Sequence, residues 1–398
     1  MKLYNGYQSF AASHLEAQLA ERVRQFTATH PERAILKLGL SDATRPMPPI
    51  VTSAMQMAVG ELGAAISFRG YGPAQGQPYL RRAIHVYYAR MGVALEEDDI
   101  FVNAGAREEF AALSDLFAAD NVVLLPTPAH PMYEAQNFFA ARPVLYAEGN
   151  AENGFLPPPP EGSHADLIYL SSPANPTGVA YTREALTAWV DYANREGAVL
   201  LCDAAYQTFA TSEDVPHSIY EIPGAMHCAI EVSTLSKSAG FTGVRCGYTV
   251  VPASLVRDGQ SLRELWTRRV EMRTCGASSI AQRGAEAALS ADGAAELLDN
   301  TRYYLRNAAR LRAMLTALEI PFFGGVDAPY VWFPCPDGMD GMALFEALLT
   351  EANVVGTPGA LFGKAGEGYF RLSALNSREI TTRAVERMRP VLARLYKK

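Results

Sequence analysis

The chain has 398 residues, 49% of them hydrophobic and 19% charged, which excludes a disordered chain and gives enough apolar mass for two or three domains. A formal net charge of −7 excludes nucleic acid and anionic membrane surfaces as the main partners. No segment nears the ~18 apolar residues of a membrane span, and the start MKLYNGYQSF lacks a signal-peptide core, so the expectation is a cytoplasmic protein with no membrane partner. The five cysteines, at 202, 228, 246, 275 and 335, are scattered without a CxxC pair and read as small buried residues. Neither they nor the seven histidines have metal-ligand spacing, so no metal is expected.

In chain order, DDIFVN (98–103) reads as a strand and AREEFAALSDLFA (106–118) as a helix. NVVLLP (121–126) is a strand, MYEAQNFFA (132–140) a helix and VLYAE (144–148) a strand. After LPPPP come the strand DLIYLSS (166–172), the helix TREALTAWVDYANREG (182–197) and the strand AVLLCD (198–203). CAIEVS (228–233) and CGYTVVP (246–252) add two more strands. Short apolar strands without alternation predict a sheet buried on both faces, a doubly wound α/β fold. Beyond about residue 290 a long helix (294–319) leads to APYVWFP, another helix and GYFRLS. The expected division is a large domain over 46–289 and a smaller α+β domain formed by 1–45 with 290–398.

Ligands of such sheets bind at the carboxyl ends of the strands. There lie SSPANPTG (171–178), DAAY (203–206), TLSK (234–237) with Arg245 eight residues beyond the lysine, and AGAREE (104–109), which opens a helix with free N–H groups. Lys237 stands out: the chain's lysines are at 2, 37, 237, 364, 397 and 398, and every other basic side chain between 37 and 364 is arginine. An amine can lose its proton and form a Schiff base, whereas a guanidinium stays protonated. An amide, a carboxylate, an amine with a cation, and an anion cradle together suit an aromatic aldehyde that carries a phosphate, a ring nitrogen and a phenolic oxygen.

NPTG, Asp203 28 residues on, SK, and arginine at +8 resemble the fold-type I pyridoxal-phosphate aminotransferases, from LGLSDATRPMP to GEGYFRLS. The resemblance implies pyridoxal 5′-phosphate and an exchange between an α-amino acid and a 2-oxo acid, with glutamate and 2-oxoglutarate as one pair. It implies Lys237 as the Schiff-base lysine and proton shuttle, and Asp203 as partner of the ring nitrogen. Asn175 and Tyr206 would bond the ring oxygen, and His130 would occupy the stacking position. Thr234, Ser236, Arg245 and the N–H groups near Ala106 and Arg107 would hold the phosphate, with Tyr71 reaching it from a second copy in a homodimer with shared sites. Arg371 would clamp the substrate α-carboxylate, beside Gly39 and Asn175.

Within that family, SIYEIPGA (218–225), SKSAGFTGVR (236–245), DAPYVWF (327–333) and TPGALFGKAGEGYFRLSA (357–374) most resemble the LL-diaminopimelate aminotransferases. Positions expected to face the substrate side chain depart from that group. Ala74 stands for a Glu that reads a distal ammonium, Cys275 for an Asn, Arg107 for a Lys, and His14 falls near a Tyr. Losing that carboxylate costs roughly 1.5–3 kcal/mol, so the expectation is an aminotransferase of altered amino acid specificity. Glu108 or Glu109 could compensate. The alternatives are an authentic diaminopimelate enzyme, an oxidase or lyase with the same cofactor shell, and a ligand-sensing regulator on this fold, which the acidic charge disfavours.

Overall fold

The computed structural model describes residues 6–39, 41–68 and 70–397. Its main sheet has seven strands, in spatial order Ile100–Asn103, Gly247–Val250, Ala229–Thr234, Val199–Asp203, Leu167–Ser171, Val123–Thr127 and Val144–Glu148. Only Gly247–Val250 runs against its neighbours; the other pairings are parallel. The absence of alternation in these strands has a direct cause, since successive side chains enter different cores. Ile168, Leu170 and Leu200 pack with Trp189 on one face, while Leu167, Tyr169, Val199 and Leu201 pack with Phe110 and Trp266 on the other. Each such side chain, fully buried, contributes about 1.5–3 kcal/mol.

The strand directions place the functional loops. Asn103, Thr127, Ser171, Asp203 and Thr234 all end at one edge of the sheet, and the antiparallel strand begins at that edge with Gly247. The SIYEIPGA segment is fastened beneath the sheet by a buried carboxylate. Glu231 accepts from Tyr88 Oη (2.5 Å), from Ser218 Oγ (3.0 Å) and from Ile219 N (2.8 Å). Burial pushes its carboxyl up to about 7, against the pull of these donors.

A second, antiparallel sheet runs Phe323–Gly324, Tyr330–Pro334, Tyr369–Ser373, Thr357–Pro358. The long helix Ala291–Ala317 starts at Ser290, whose hydroxyl accepts from Gly293 N at 3.1 Å, a cap worth about 1 kcal/mol. Phe26, Leu36 and Leu38 from the N-terminal segment share a core with Leu311, Leu315, Phe345, Phe370 and Leu392. Leu36–Lys37 also pairs in parallel with Val354–Val355. The same N-terminal segment is carried over the main sheet's edge: Tyr304 Oη accepts from the backbone N–H groups of Thr44 and Arg45 at 2.9 and 2.8 Å. Among the described residues no helix is long and apolar enough to cross a membrane.

Candidate active site

Lys237 lies in the loop after Ala229–Thr234, partly buried, and its Nζ donates to the carbonyl of Ser41. Loss of hydration lowers the amine to about 8, with Asp42 opposing and Arg245, Arg371 and Arg107 adding to the lowering. Asp203 is the last residue of its strand and is buried. Its Oδ1 accepts from Ala205 N at 2.9 Å and its Oδ2 from the Tyr133 hydroxyl. Burial raises its carboxyl above the usual range, while Tyr133, Ala205 N and the charge of Lys237 oppose. A cationic partner would oppose that rise. Tyr206 shares a hydroxyl hydrogen bond with Tyr330, and burial holds its phenol well above the ordinary range.

An anion cup lies beside the lysine. Thr234 Oγ1 and Ser236 Oγ are 2.9 Å apart, and Ser236 N donates to Thr234 Oγ1 at 3.2 Å. Arg245 sits just before the antiparallel strand in the left-handed region, φ 66°, an uncommon conformation for arginine. Its Nη1 reaches Ser236 Oγ at 3.4 Å, and its Nη2 donates to Glu108 at 2.9 Å. The pair with Glu108 is half-exposed and of a kind worth at most about 1 kcal/mol, so an incoming dianion could displace it. Gly105, at φ 124°, opens the helix Ala106–Leu113; a Cβ there would come within 2.2 Å of Arg245 Nη2. The turn is held from behind. Gly105 N donates to Asn103 Oδ1 (2.8 Å), Asn103 Nδ2 to Thr249 Oγ1 (3.0 Å), and Thr249 Oγ1 to Glu109. Glu109 is buried among these partners and Glu108 is paired to Arg245. The burial of Glu109 takes it away from any role as the compensating carboxylate, while Glu108 stands at the rim of the cup.

Arg371 is 4% exposed. Its Nη1 donates to Asn175 Oδ1 at 2.5 Å, and its Nη2 to Gly39 O at 2.8 Å and Thr357 Oγ1 at 3.2 Å. The guanidinium lies between the rings of Tyr330 and Phe362, 4.7 Å from each centroid, while its buried Nε has no partner. A buried charged donor left open is costly unless a ligand completes it. His130 caps the helix Pro131–Phe139, with Nδ1 accepting from Met132 N at 3.2 Å. Burial, with Arg107, Arg371 and Lys237 nearby, lowers it to about 3, so the imidazole is neutral. His130, Arg107, Gly39 and Arg371 line one cavity of 780 Å³.

Arg107, His130, Gly39 and Arg371 line that cavity, Asn175 is bonded to Arg371, and Lys237 reaches Ser41, another lining residue. Asp203, Tyr206, Thr234, Ser236, Arg245 and Ala106 sit at or just beyond the strand ends of the same sheet edge, and Tyr71, Ala74, Cys275 and His14 do not line the cavity of the same chain. Ala74 O lies 3.5 Å from where a Cβ on Gly276 would stand, so Ala74 and Cys275 belong to one neighbourhood elsewhere on the surface. On the helix Ala11–Thr29, Glu16 lines the cavity in place of His14. Two residues apart means about 200° around a helix. Sequence reading missed Tyr133, Tyr330, Ser41 and Phe362. Tyr330 lay within the DAPYVWF stretch, and Tyr133 follows His130 by one helical turn; those were the available signals.

The chain matches the family aminotransferase class I and II over residues 33–388. It is 41% identical over 402 residues to an LL-diaminopimelate aminotransferase of Agathobacter rectalis, covering 98% of this chain and 99% of the relative. An LL-diaminopimelate aminotransferase of Prochlorococcus marinus strain MIT 9303 is 42% identical over 406 residues, with the same coverage. Among solved structures, the L,L-diaminopimelate aminotransferase from Chlamydomonas reinhardtii superposes with a TM-score of 0.92 at 34% identity, covering 98% of each chain. A lysine, a carboxylate and an arginine converging at one sheet edge, in a chain so related along nearly its whole length, make it a member of the class I and II aminotransferases, of the LL-diaminopimelate aminotransferase type.

Proposed function

We propose that this aminotransferase works with pyridoxal 5′-phosphate bound at Lys237 and moves an amino group between glutamate or 2-oxoglutarate and a second amino acid. The observation that carries the reading is Lys237 itself: a lysine with an amine near 8, at the strand-end edge that also holds Asp203. The fit of the cofactor's phosphate is supported by the Gly105 turn, where a side chain would collide with Arg245. Asp203 would hold the ring nitrogen, Asn175 and Tyr206 the ring oxygen, and His130 a ring face. Thr234, Ser236, Arg245 and the N–H groups at Ala106 and Arg107 would hold the phosphate. When bound, the cofactor supplies an electron sink next to the substrate Cα.

The chain's own groups do the rest. Arg371 binds the α-carboxylate through its open Nε and orients Cα toward Lys237. With the amine near 8, Lys237 Nζ would take the proton from the substrate Cα and hold it as ammonium for return to the product. Neutral His130 adds no charge beside a site already rich in cations. Arg107, with no ion-pair partner among the described residues, suits the distal carboxylate of a dicarboxylic acid. The relatives' shared name supports diaminopimelate as the second amino acid at least as well as an altered one; Ala74 and Cys275 support the altered one.

The division at 45/46 and 289/290 and the homodimer belong to the same proposal. The dimer is supported by exposed apolar side chains that include Met57 (68% exposed), Ile66 (100%), Phe68 (65%) and Tyr71 (93%). Two inactive variants, Tyr71→Ala and Lys237→Ala, should then regain activity when refolded together. For the chemistry, the protein loaded with pyridoxal phosphate should gain a visible absorption band that glutamate removes and 2-oxoglutarate restores. A band indifferent to every amino acid would refute transamination.

A further inference from the structure

We propose that Glu109 is a positioning residue for the anion cup, acting through Thr249 and Asn103 on the Gly105 turn, and that it takes up a proton from solvent when a phosphate dianion is seated. This rests on the reading of the cup as the cofactor's phosphate site. Gly105 N is held by Asn103 Oδ1, Asn103 Nδ2 by Thr249 Oγ1, and the Thr249 hydroxyl by Glu109. All three side chains are buried, and each comes from a different element: Ile100–Asn103, Gly247–Val250 and Ala106–Leu113. The backbone closes on the amide as well, since a Cβ on Gly247 would stand 2.7 Å from Asn103 Oδ1. The direction of the bonds matters. A threonine hydroxyl has one proton; while Glu109 accepts it, Thr249 can only accept from Asn103, and the amide must turn its oxygen to Gly105. An amide turned the other way would set its NH2 against the Gly105 N–H.

Charge gives this carboxyl a second part to play. A dianion at the N–H groups of Ala106 and Arg107 lies within about one helical turn of Glu109, and two negative charges so close in a dry interior repel. Burial already lifts the Glu109 carboxyl to about 7, against the pull of Thr249, Asn103 and Arg269. Around its helix, Arg269 is paired to Asp115 at 2.9 Å, Tyr133 is committed to Asp203, and the strand Ala229–Thr234 presents Val232 and Thr234. On the helix itself Glu108 goes to Arg245, and Arg107 lines the cavity. Seating the dianion therefore favours the protonated acid, whose second oxygen still accepts from Thr249. The sign follows: the cup holds phosphate most tightly below about pH 7 and loosens as pH rises through that value.

The test measures binding of pyridoxal 5′-phosphate, and of pyridoxal, which lacks the phosphate, to the full-length chain by equilibrium dialysis between about pH 5.5 and about pH 8.5. Each variant is compared with the wild type at the same pH, which cancels the titrations of Lys237 and of the phosphate itself. Glu109→Gln keeps an acceptor for Thr249 and removes the charge. It should bind pyridoxal phosphate like the wild type at the acid end and about tenfold more tightly at the alkaline end, while pyridoxal binds both proteins alike. Thr249→Val breaks the chain of bonds and should weaken pyridoxal phosphate about tenfold at every pH, with pyridoxal little changed; Thr249→Ser should restore it. If Thr249→Val does not fold, Glu109→Gln decides alone. Glu109→Gln that parallels the wild type across the range would overturn the inference. So would equal loss of both ligands in Thr249→Val, the mark of a purely structural role. Both results leave the cofactor reading intact, whereas a wild type that holds pyridoxal phosphate no more tightly than pyridoxal would overturn the phosphate cup itself and this inference with it.

Discussion

Replacing Arg371 by lysine keeps the charge and removes the fork. The guanidinium is fixed by Asn175, Gly39 and Thr357 and by two flanking rings, so its remaining donor edge has one orientation to offer a carboxylate. A lysine ammonium is a single point that cannot make two parallel bonds or fill the planar slot between Tyr330 and Phe362. The loss of one charge-assisted hydrogen bond costs about 1.5–3 kcal/mol, which weakens binding of every α-amino acid about ten- to 150-fold. Asn175 Oδ1 and Gly39 O lose a donor as well, so stability should fall by about 1–3 kcal/mol. Single-turnover reactions of the cofactor-loaded variant, at a series of glutamate, leucine and LL-diaminopimelate concentrations, give the half-saturation for each. All three should rise together, with the visible band present and the thermal midpoint lowered. Unchanged half-saturation for every donor in a folded, loaded variant would remove Arg371 from the site.

Gly105→Ala should weaken cofactor retention about five- to 150-fold, because strain of about 1–3 kcal/mol at a positive φ is added to a clash with Arg245; equilibrium dialysis measures it, and wild-type affinity would contradict the cup. In the apoprotein Lys237 should be about half neutral at pH 8, against about one part in 300 for an ordinary lysine. Reductive methylation followed by peptide mass spectrometry should therefore label Lys237 with an apparent titration near 8, and a titration near 10 would refute its lowered amine. Glu109 and Glu231 both sit at about 7 when folded, above an ordinary value of 4.5. Between those limits the folded chain binds more protons than the unfolded one, so stability is highest below about 4.5 from these groups and falls as pH rises through 7, by on the order of 3 kcal/mol each. Glu231→Gln should flatten the decline in thermal midpoint between pH 5 and 8; an unchanged slope would refute the assignment.

The sheet was legible because its strands are buried on both faces and so read as unbroken apolar runs, and their common direction made the strand ends a single edge. Lys237 was legible by rarity, and Asp203 and Asn175 by their places at strand ends. The Tyr133–Asp203 bond was not, because it joins a helix residue to a strand end 70 residues away in sequence. The Tyr206–Tyr330 bond spans 124. Glu108 and Glu109 were adjacent letters with one expected role, yet helix geometry turns one to Arg245 and buries the other against Thr249. His14 and Glu16 were likewise separable only by helix phase.

The central claim is that one amine does the chemistry. Purified Lys237→Ala, prepared beside the wild type and loaded with pyridoxal phosphate, should keep its fold and release all cofactor on gel filtration under denaturing conditions. The wild type reduced with borohydride should retain the cofactor on the peptide that contains Lys237. The variant should transfer no amino group from glutamate or any other donor at a measurable rate. Wild-type-like turnover in the variant, or cofactor fixed to a different lysine in the wild type, would contradict the account.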